Sequence, residues 1–131
     1  MTGHARVAAT LDRELQDERG LSLSSYEVLV HLSEAPDRRL RMNELAGRAS
    51  LSRSGLTRLV DRLQADGLVD RKGCPEDRRG SYAELTSAGE RVLEEAWPVH
   101  VRGVREHFVG RLSADEIEVL GAALQRLADA D

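Results

Sequence analysis

The chain is poor in the residues that staple, stiffen or span. Its single cysteine, Cys74, excludes an intrachain disulfide and a cysteine-rich zinc site, in agreement with a reducing compartment. In that position it reads as an incidental exposed thiol rather than a redox switch. No apolar run approaches the roughly 20 residues of a membrane helix, and the opening MTGHARVAAT lacks the apolar core of a secretory signal. The expected location is the cytoplasm, with no membrane partner. Aromatic residues make up only 3% of the 131, and lysine occurs once, at Lys72. A core with so few rings has to be aliphatic, and 40% hydrophobic content suffices for one domain of ordinary size. Internal repeats and linkers long enough to divide the chain are missing too. So is any nucleophile paired with a base, any metal set or any glycine-rich phosphate loop. Ser52, Ser54 and the four histidines fall on separate elements, which argues against an enzyme and against a cofactor.

An excess of base is also lacking, since the net charge is -4. Its distribution changes what this excludes. From Arg38 to Arg91 there are twelve Arg or Lys against eight Asp or Glu, and the remainder holds seven against fifteen. Phosphate binding depends on the field within about 10 Å at moderate salt, so a basic middle can hold a polyanion on an acidic protein.

Helical spacing dominates what is present. Val7, Leu11 and Leu15 form one stripe of a helix over 4–18 that stops near Gly20. Ser22 or Ser24 caps a second helix that ends near Glu34, before APDRR. Two short helices follow: Leu45, Ala46 and Ala49 face inward on the first, Ser50 and Leu51 turn, and Ser52 caps the second. That second helix buries Leu56, Leu59, Val60 and Leu63 and ends at Gly67. The strand signal is confined to 68–72 and 81–86, separated by a reversing loop, GCPEDRRG. Thr86 or Ser87 then caps a long helix with Leu93, Trp97, Val101, Val104 and Phe108 near one face and a kink expected at Pro98. A capping box, Ser113 to Glu116, opens a last helix with the row Ile117, Leu120, Leu124 and Leu127. The expected fold is mainly α with a small β-hairpin wing (α+β): a winged helix-turn-helix over 22–86, flanked by helices at 1–20 and 87–131.

Burial of the four aliphatic residues on the second paired helix leaves Arg53, Ser54, Thr57, Arg58 and Asp61 on its other faces. Residues near its start can enter a major groove, where arginine forks to guanine and Ser or Thr reach bases or phosphates. Gly55 costs this helix about 1 kcal/mol relative to Ala, and is either tolerated there or permits close backbone approach. In the loop, Asp77 and Arg79 are two apart and share a side in extended chain. The acid can hold the arginine for a narrow, electronegative minor groove, or the two form a surface ion pair and nothing more. Arg78, one residue over, faces the other way, as a phosphate contact or a bystander.

The stretches ELAGRASLSRSGLTRLVDRLQADGLVDR and DRRGSYAELTSAG, with SRS-x-x-TRLVDRL, G-L-V-x-R, D-x-R and L-T-x-x-G as their parts, resemble the MarR family of bacterial transcriptional regulators. The likeness spans nearly the whole chain, read as one MarR-type domain over 1–131. It implies a homodimer with interleaved terminal helices that binds a palindromic site in double-stranded DNA, usually as a repressor released by a ligand. The DNA-binding residues would be Ser52, Arg53, Ser54, Thr57, Arg58, Arg71, Asp77, Arg78 and Arg79. Small aromatic or phenolic effectors of the family occupy a crevice that Tyr26, His31 and Trp97 are candidates to line, core packing being their alternative role. Apolar surface on the first, fifth and sixth helices points to a dimer independently, with Val7, Leu11, Leu15, Ile117, Leu120 and Leu124 as its candidate interface. The N-terminal cysteine of the peroxide-sensing branch is missing, and His100 and His107, seven apart, complete no zinc set at i+3 or i+4. The competing reading is a winged helix used for protein contact, which would be expected to lose both the wing arginine and the polar face of the recognition helix.

Overall fold

A computed structural model describes residues 2–74 and 77–130, with the side chains of residues 74 and 77–79 outside the description. Among the described residues there are six α-helices, five of which start at a capping hydroxyl, the exception being the third. Helix α1, Gly3–Arg19, starts at Thr2 and ends at Gly20, whose φ of 64° suits a residue without Cβ. Of the two candidate caps for α2, Leu23–Glu34, it is the Ser22 hydroxyl that accepts from the Ser25 amide at 3.0 Å. The helix pair is α3, Met42–Arg48, and α4, Arg53–Ala65, joined by a turn in which Ser50 takes φ 54°. Helix α5, Ser87–His107, is capped by Thr86 and runs as one element through Pro98, so the expected kink does not divide it. Helix α6, Ala114–Asp129, opens with both hydrogen bonds of the Ser113–Glu116 capping box.

The sheet has three strands where the sequence offered two. Strands β2, Val69–Cys74, and β3, Asp77–Leu85, form the wing hairpin, and β1, Arg39–Arg41, pairs antiparallel with the other edge of β3. Sequence reasoning misses β1 for a physical reason. Arg-Leu-Arg has one apolar residue and no alternation to read, and it follows Asp37 and Arg38, both at positive φ. Its strand character comes from the partner: Leu40 sits opposite Ala83 and both are buried.

The core lies between α2, α3, α4 and the sheet, closed by α1 and α5. Its fully buried members include Leu15, Val28, Leu29, Leu32, Leu45, Leu56, Val60 and Val69. All four aliphatic residues assigned to the inner face of α4 are buried, and of the three on α3 Ala49 is only half-buried. One polar knot binds the helix pair, wing and long helix together. The Thr86 hydroxyl donates to the Gly67 carbonyl at 2.7 Å and accepts from the Gly89 amide at 3.0 Å, while the Thr86 amide donates to the Leu68 carbonyl at 3.1 Å. Helices α1 and α5 pack along their lengths, with ion pairs Arg102–Glu18 and, at 3.9 Å, Arg19–Glu95 across them. Helix α6 is the most loosely held: among the described residues no other helix or strand makes extensive contact with it.

Candidate nucleic-acid interface

Because α4 turns Leu56, Leu59, Val60 and Leu63 into the core, its opposite face carries Ser52, Arg53, Ser54 and Arg58 in the open, with Thr57 half-buried. The start of the helix is held by the Ser52 hydroxyl, which accepts from the Gly55 amide at 3.1 Å and lies 3.4 Å from the Ser54 hydroxyl. A Cβ at position 55 would meet only Ser52 Oγ, at 3.0 Å, so glycine there leaves the capping oxygen room. Asp61 does not point freely outward. It receives a hydrogen bond from Arg71 of β2 at 2.8 Å and ties the helix to the wing.

Between the start of α4 and the wing lies a polar cleft of about 410 Å³, lined by Arg41, Met42, Asn43, Arg53, Thr57, Arg71, Gly80 and Ser81. Arg53, Thr57 and Arg71 were expected at such a surface. Arg41, Asn43 and Ser81 were missed, the first two because β1 and the start of α3 are brought to the wing only by the pairing of β1 with β3. The backbone of Asp77, Arg78 and Arg79 belongs to β3, whereas their side chains, and with them the Asp77–Arg79 pairing, lie outside the described residues.

The candidate effector residues divide. Tyr26 and His31 line one cavity of about 660 Å³ together with His4, Glu27, Arg48, Ser50 and His100. The Tyr26 and His100 rings are 4.6 Å apart and tilted by 38°. Burial pushes the Tyr26 hydroxyl up, and it pushes His100 down against the opposing pull of Glu27. His100 Nδ1 is buried without a hydrogen-bond partner among the described residues. Trp97 does not join them: it is 58% exposed on the outer side of α5, beside Pro98, Val101 and Arg102. Its place in an amphipathic row did not reveal that this part of the row faces outward.

The candidate dimer residues also divide. Leu120 and Leu124 are exposed, Leu124 by 54%, and with Val7, Leu11, Phe108 and Leu112 they line an apolar groove of about 640 Å³. Ile117 is half-buried. Leu15 is 0% exposed and packs into its own chain's core, which corrects its assignment to an interface. Val119, at 69% exposed, and Leu127, at 72%, extend the open apolar face of α6.

Glu14 of α1 and Glu106 and His107 of α5 bring one potential ligand atom each within 4.8 Å of one another, a set that spacing within one helix could not reveal. His107 Nε2 is 2.8 Å from Glu14 Oε1, an ion-pair distance without hydrogen-bond alignment. No helix among the described residues is long and apolar enough to cross a membrane.

A helix-turn-helix whose second helix presents hydroxyls and arginines, backed by an arginine-lined cleft against a three-stranded wing, defines a winged helix protein with a polyanion-facing surface. A MarR family model matches residues 19–80. The HTH-type transcriptional repressor YetL of Bacillus subtilis is 34% identical over 113 residues, 84% of this chain and 68% of its own. Among solved structures, Sco3205 of Streptomyces coelicolor, a MarR family transcriptional regulator in complex with DNA, matches with a TM-score of 0.90 at 40% identity. The match covers 97% of this chain and 80% of that one. AbsC, a MarR family transcriptional regulator from the same organism, matches with a TM-score of 0.87 at 35% identity, over 97% and 85% of the two chains. The chain belongs to the MarR family of transcriptional regulators.

Proposed function

We propose that this chain acts as a homodimeric, ligand-responsive repressor that reads an inverted repeat in double-stranded DNA. The observation that carries the reading is the division of α4 into a wholly buried aliphatic face and an open face of Arg53, Ser54 and Arg58. A capped helix start with short polar and forked basic side chains fits a major groove. Arg79 on the wing is assigned to the minor groove, and Arg71 and Arg78 to phosphates. The exposed apolar face of α6 supports dimerisation through Leu120 and Leu124, with the DNA-reading part at 22–86 between the dimer-forming helices. The cavity between Tyr26, His31 and His100, which reaches Arg48 and Ser50 at the helix-turn-helix, suits a small aromatic effector whose binding would disturb the reading helix.

Band shift of a pool of random duplexes by the full chain, repeated across salt concentrations, tests the reading. If Arg71 and Arg78 of both protomers displace counterions from four phosphates, affinity falls at least about a hundredfold between 50 and 200 mM salt. A flat salt response, or no retarded complex, overturns it. Release of a preformed complex by phenolic ligands, abolished in a Tyr26→Ala variant that still binds DNA, tests the effector part.

A further inference from the structure

Strand β1 delivers two arginines to the wing. Its register sets Arg39 opposite Glu84 and Arg41 opposite Tyr82. Alternation sends Leu40 into the core and leaves Arg39, Arg41 and Tyr82 on the other face of the sheet. Both guanidinium carbons lie over the same ring, 5.1 and 5.5 Å from the Tyr82 centroid, within cation–π range. The stack holds two positive groups together at the edge of the cleft described above. The cleft lining contains three arginines, Arg41, Arg53 and Arg71, and no carboxylate among the described residues. Of these arginines Arg71 is held by Asp61 at 2.8 Å, while on the wing Glu84 meets Lys72 at 3.1 Å. The start of α4 adds the positive end of a 13-residue helix.

The position of the cleft identifies the occupant. A major groove and the minor groove beside it are separated by one sugar-phosphate strand. A protomer that sets α4 into the first and its wing into the second must let that strand pass between helix and wing, where the cleft lies. We propose that this cleft, with Arg41, Asn43, Arg53, Thr57, Arg71 and Ser81 around it, seats a backbone phosphate of that strand, and that Arg39 and Tyr82 hold the Arg41 guanidinium in place. The inference rests on the DNA-binding reading above and adds a sequence-independent anchor on β1 that neither the recognition helix nor the wing tip supplies.

The test is a set of binding isotherms at 50 and 200 mM salt, on a duplex selected by the parent from a random pool and on a scrambled duplex of the same composition. Arg41→Gln should weaken both duplexes by the same factor and lower the salt slope by about 0.9 per protomer-bound half-site, so that its loss at 50 mM exceeds that at 200 mM by about 3.5-fold for a half-site duplex. Arg41→Lys should restore the slope and part of the affinity. Tyr82→Leu, which removes the ring, should weaken both duplexes by about threefold. Circular dichroism and sedimentation confirm that each variant keeps its fold and assembly state. If folded Arg41→Gln keeps the parent's salt slope, or loses affinity only on the selected duplex, the phosphate seat is wrong although the DNA reading stands. If the parent binds neither duplex, that reading fails and the seat with it.

Discussion

Gly89→Ala puts the knot between helix pair, wing and α5 under direct strain. A Cβ built on Gly89 would lie 2.2 Å from the Leu68 carbonyl oxygen and 2.7 Å from Leu85 Cδ1. The leucine methyl can rotate away. The carbonyl cannot, because it belongs to the backbone entering β2 and accepts the Thr86 amide at 3.1 Å. Relief therefore requires α5 to shift, which strains the core and lengthens a buried hydrogen bond. Overpacking of this kind costs about 1–3 kcal/mol and a buried unsatisfied backbone group about 1–3 kcal/mol more, so a loss of about 3 kcal/mol is expected. For a chain of this size that lowers Tm by about 12 °C. The assay is thermal unfolding followed by circular dichroism at one fixed protein concentration, since a dimer's Tm depends on it. Gly47→Ala is the contrast: a Cβ there meets nothing within 4 Å, and removing glycine from this exposed helical position should stabilise by up to about 1 kcal/mol. If Gly89→Ala melts within 2 °C of the parent, the carbonyl is not the rigid obstacle this reasoning takes it to be.

Leu124→Glu should yield monomers at micromolar concentration in sedimentation and lower operator affinity by about a hundredfold, because linked half-sites gain from effective concentration. A dimeric mass would show that α6 is not the interface. His100, held below its ordinary value by burial, binds a proton more readily when unfolded. The parent should accordingly lose stability as pH falls from about 6.5 towards the lower folded-state value, and His100→Gln should flatten that part of the profile in denaturant titrations. Equal pH profiles would refute the depressed value. Arg79→Ala should weaken binding by about 1–3 kcal/mol, most on duplexes with A·T-rich flanks, and Asp77→Ala should cost less. Isotherms of both variants on two duplexes differing only in their flanks decide this, and parent-like binding of Arg79→Ala to both would reduce the wing arginine to a surface ion pair.

Where local signals agreed, the fold was legible from the residues. The capping serines Ser52 and Ser113 each begin the helix assigned to them, Thr86 is the one of two candidates that caps α5, and the aliphatic row of α4 is buried as its period requires. What escaped depended on contacts distant in sequence. Arg39–Arg41 has no strand pattern of its own and becomes a strand only against β3, so Arg41 and Asn43 were absent from the expected surface. Helical period alone could not distinguish a residue packed within its protomer from one left for a partner. Leu15 and Leu120 both sit in apolar rows, but the first is buried within its own protomer and the second is left exposed. The same ambiguity placed Trp97 with Tyr26 and His31, although α5 presents it to the opposite side.

The claim on which the rest depends is that two copies of this chain read two copies of one DNA sequence. Selection of binding sites from random duplexes by the purified full chain, followed by sequencing of the bound pool, tests it most directly. The account predicts an enriched inverted repeat whose half-sites lie about 10 base pairs apart, centre to centre. A pool without enrichment, or one enriched in a single half-site or a direct repeat, would contradict it.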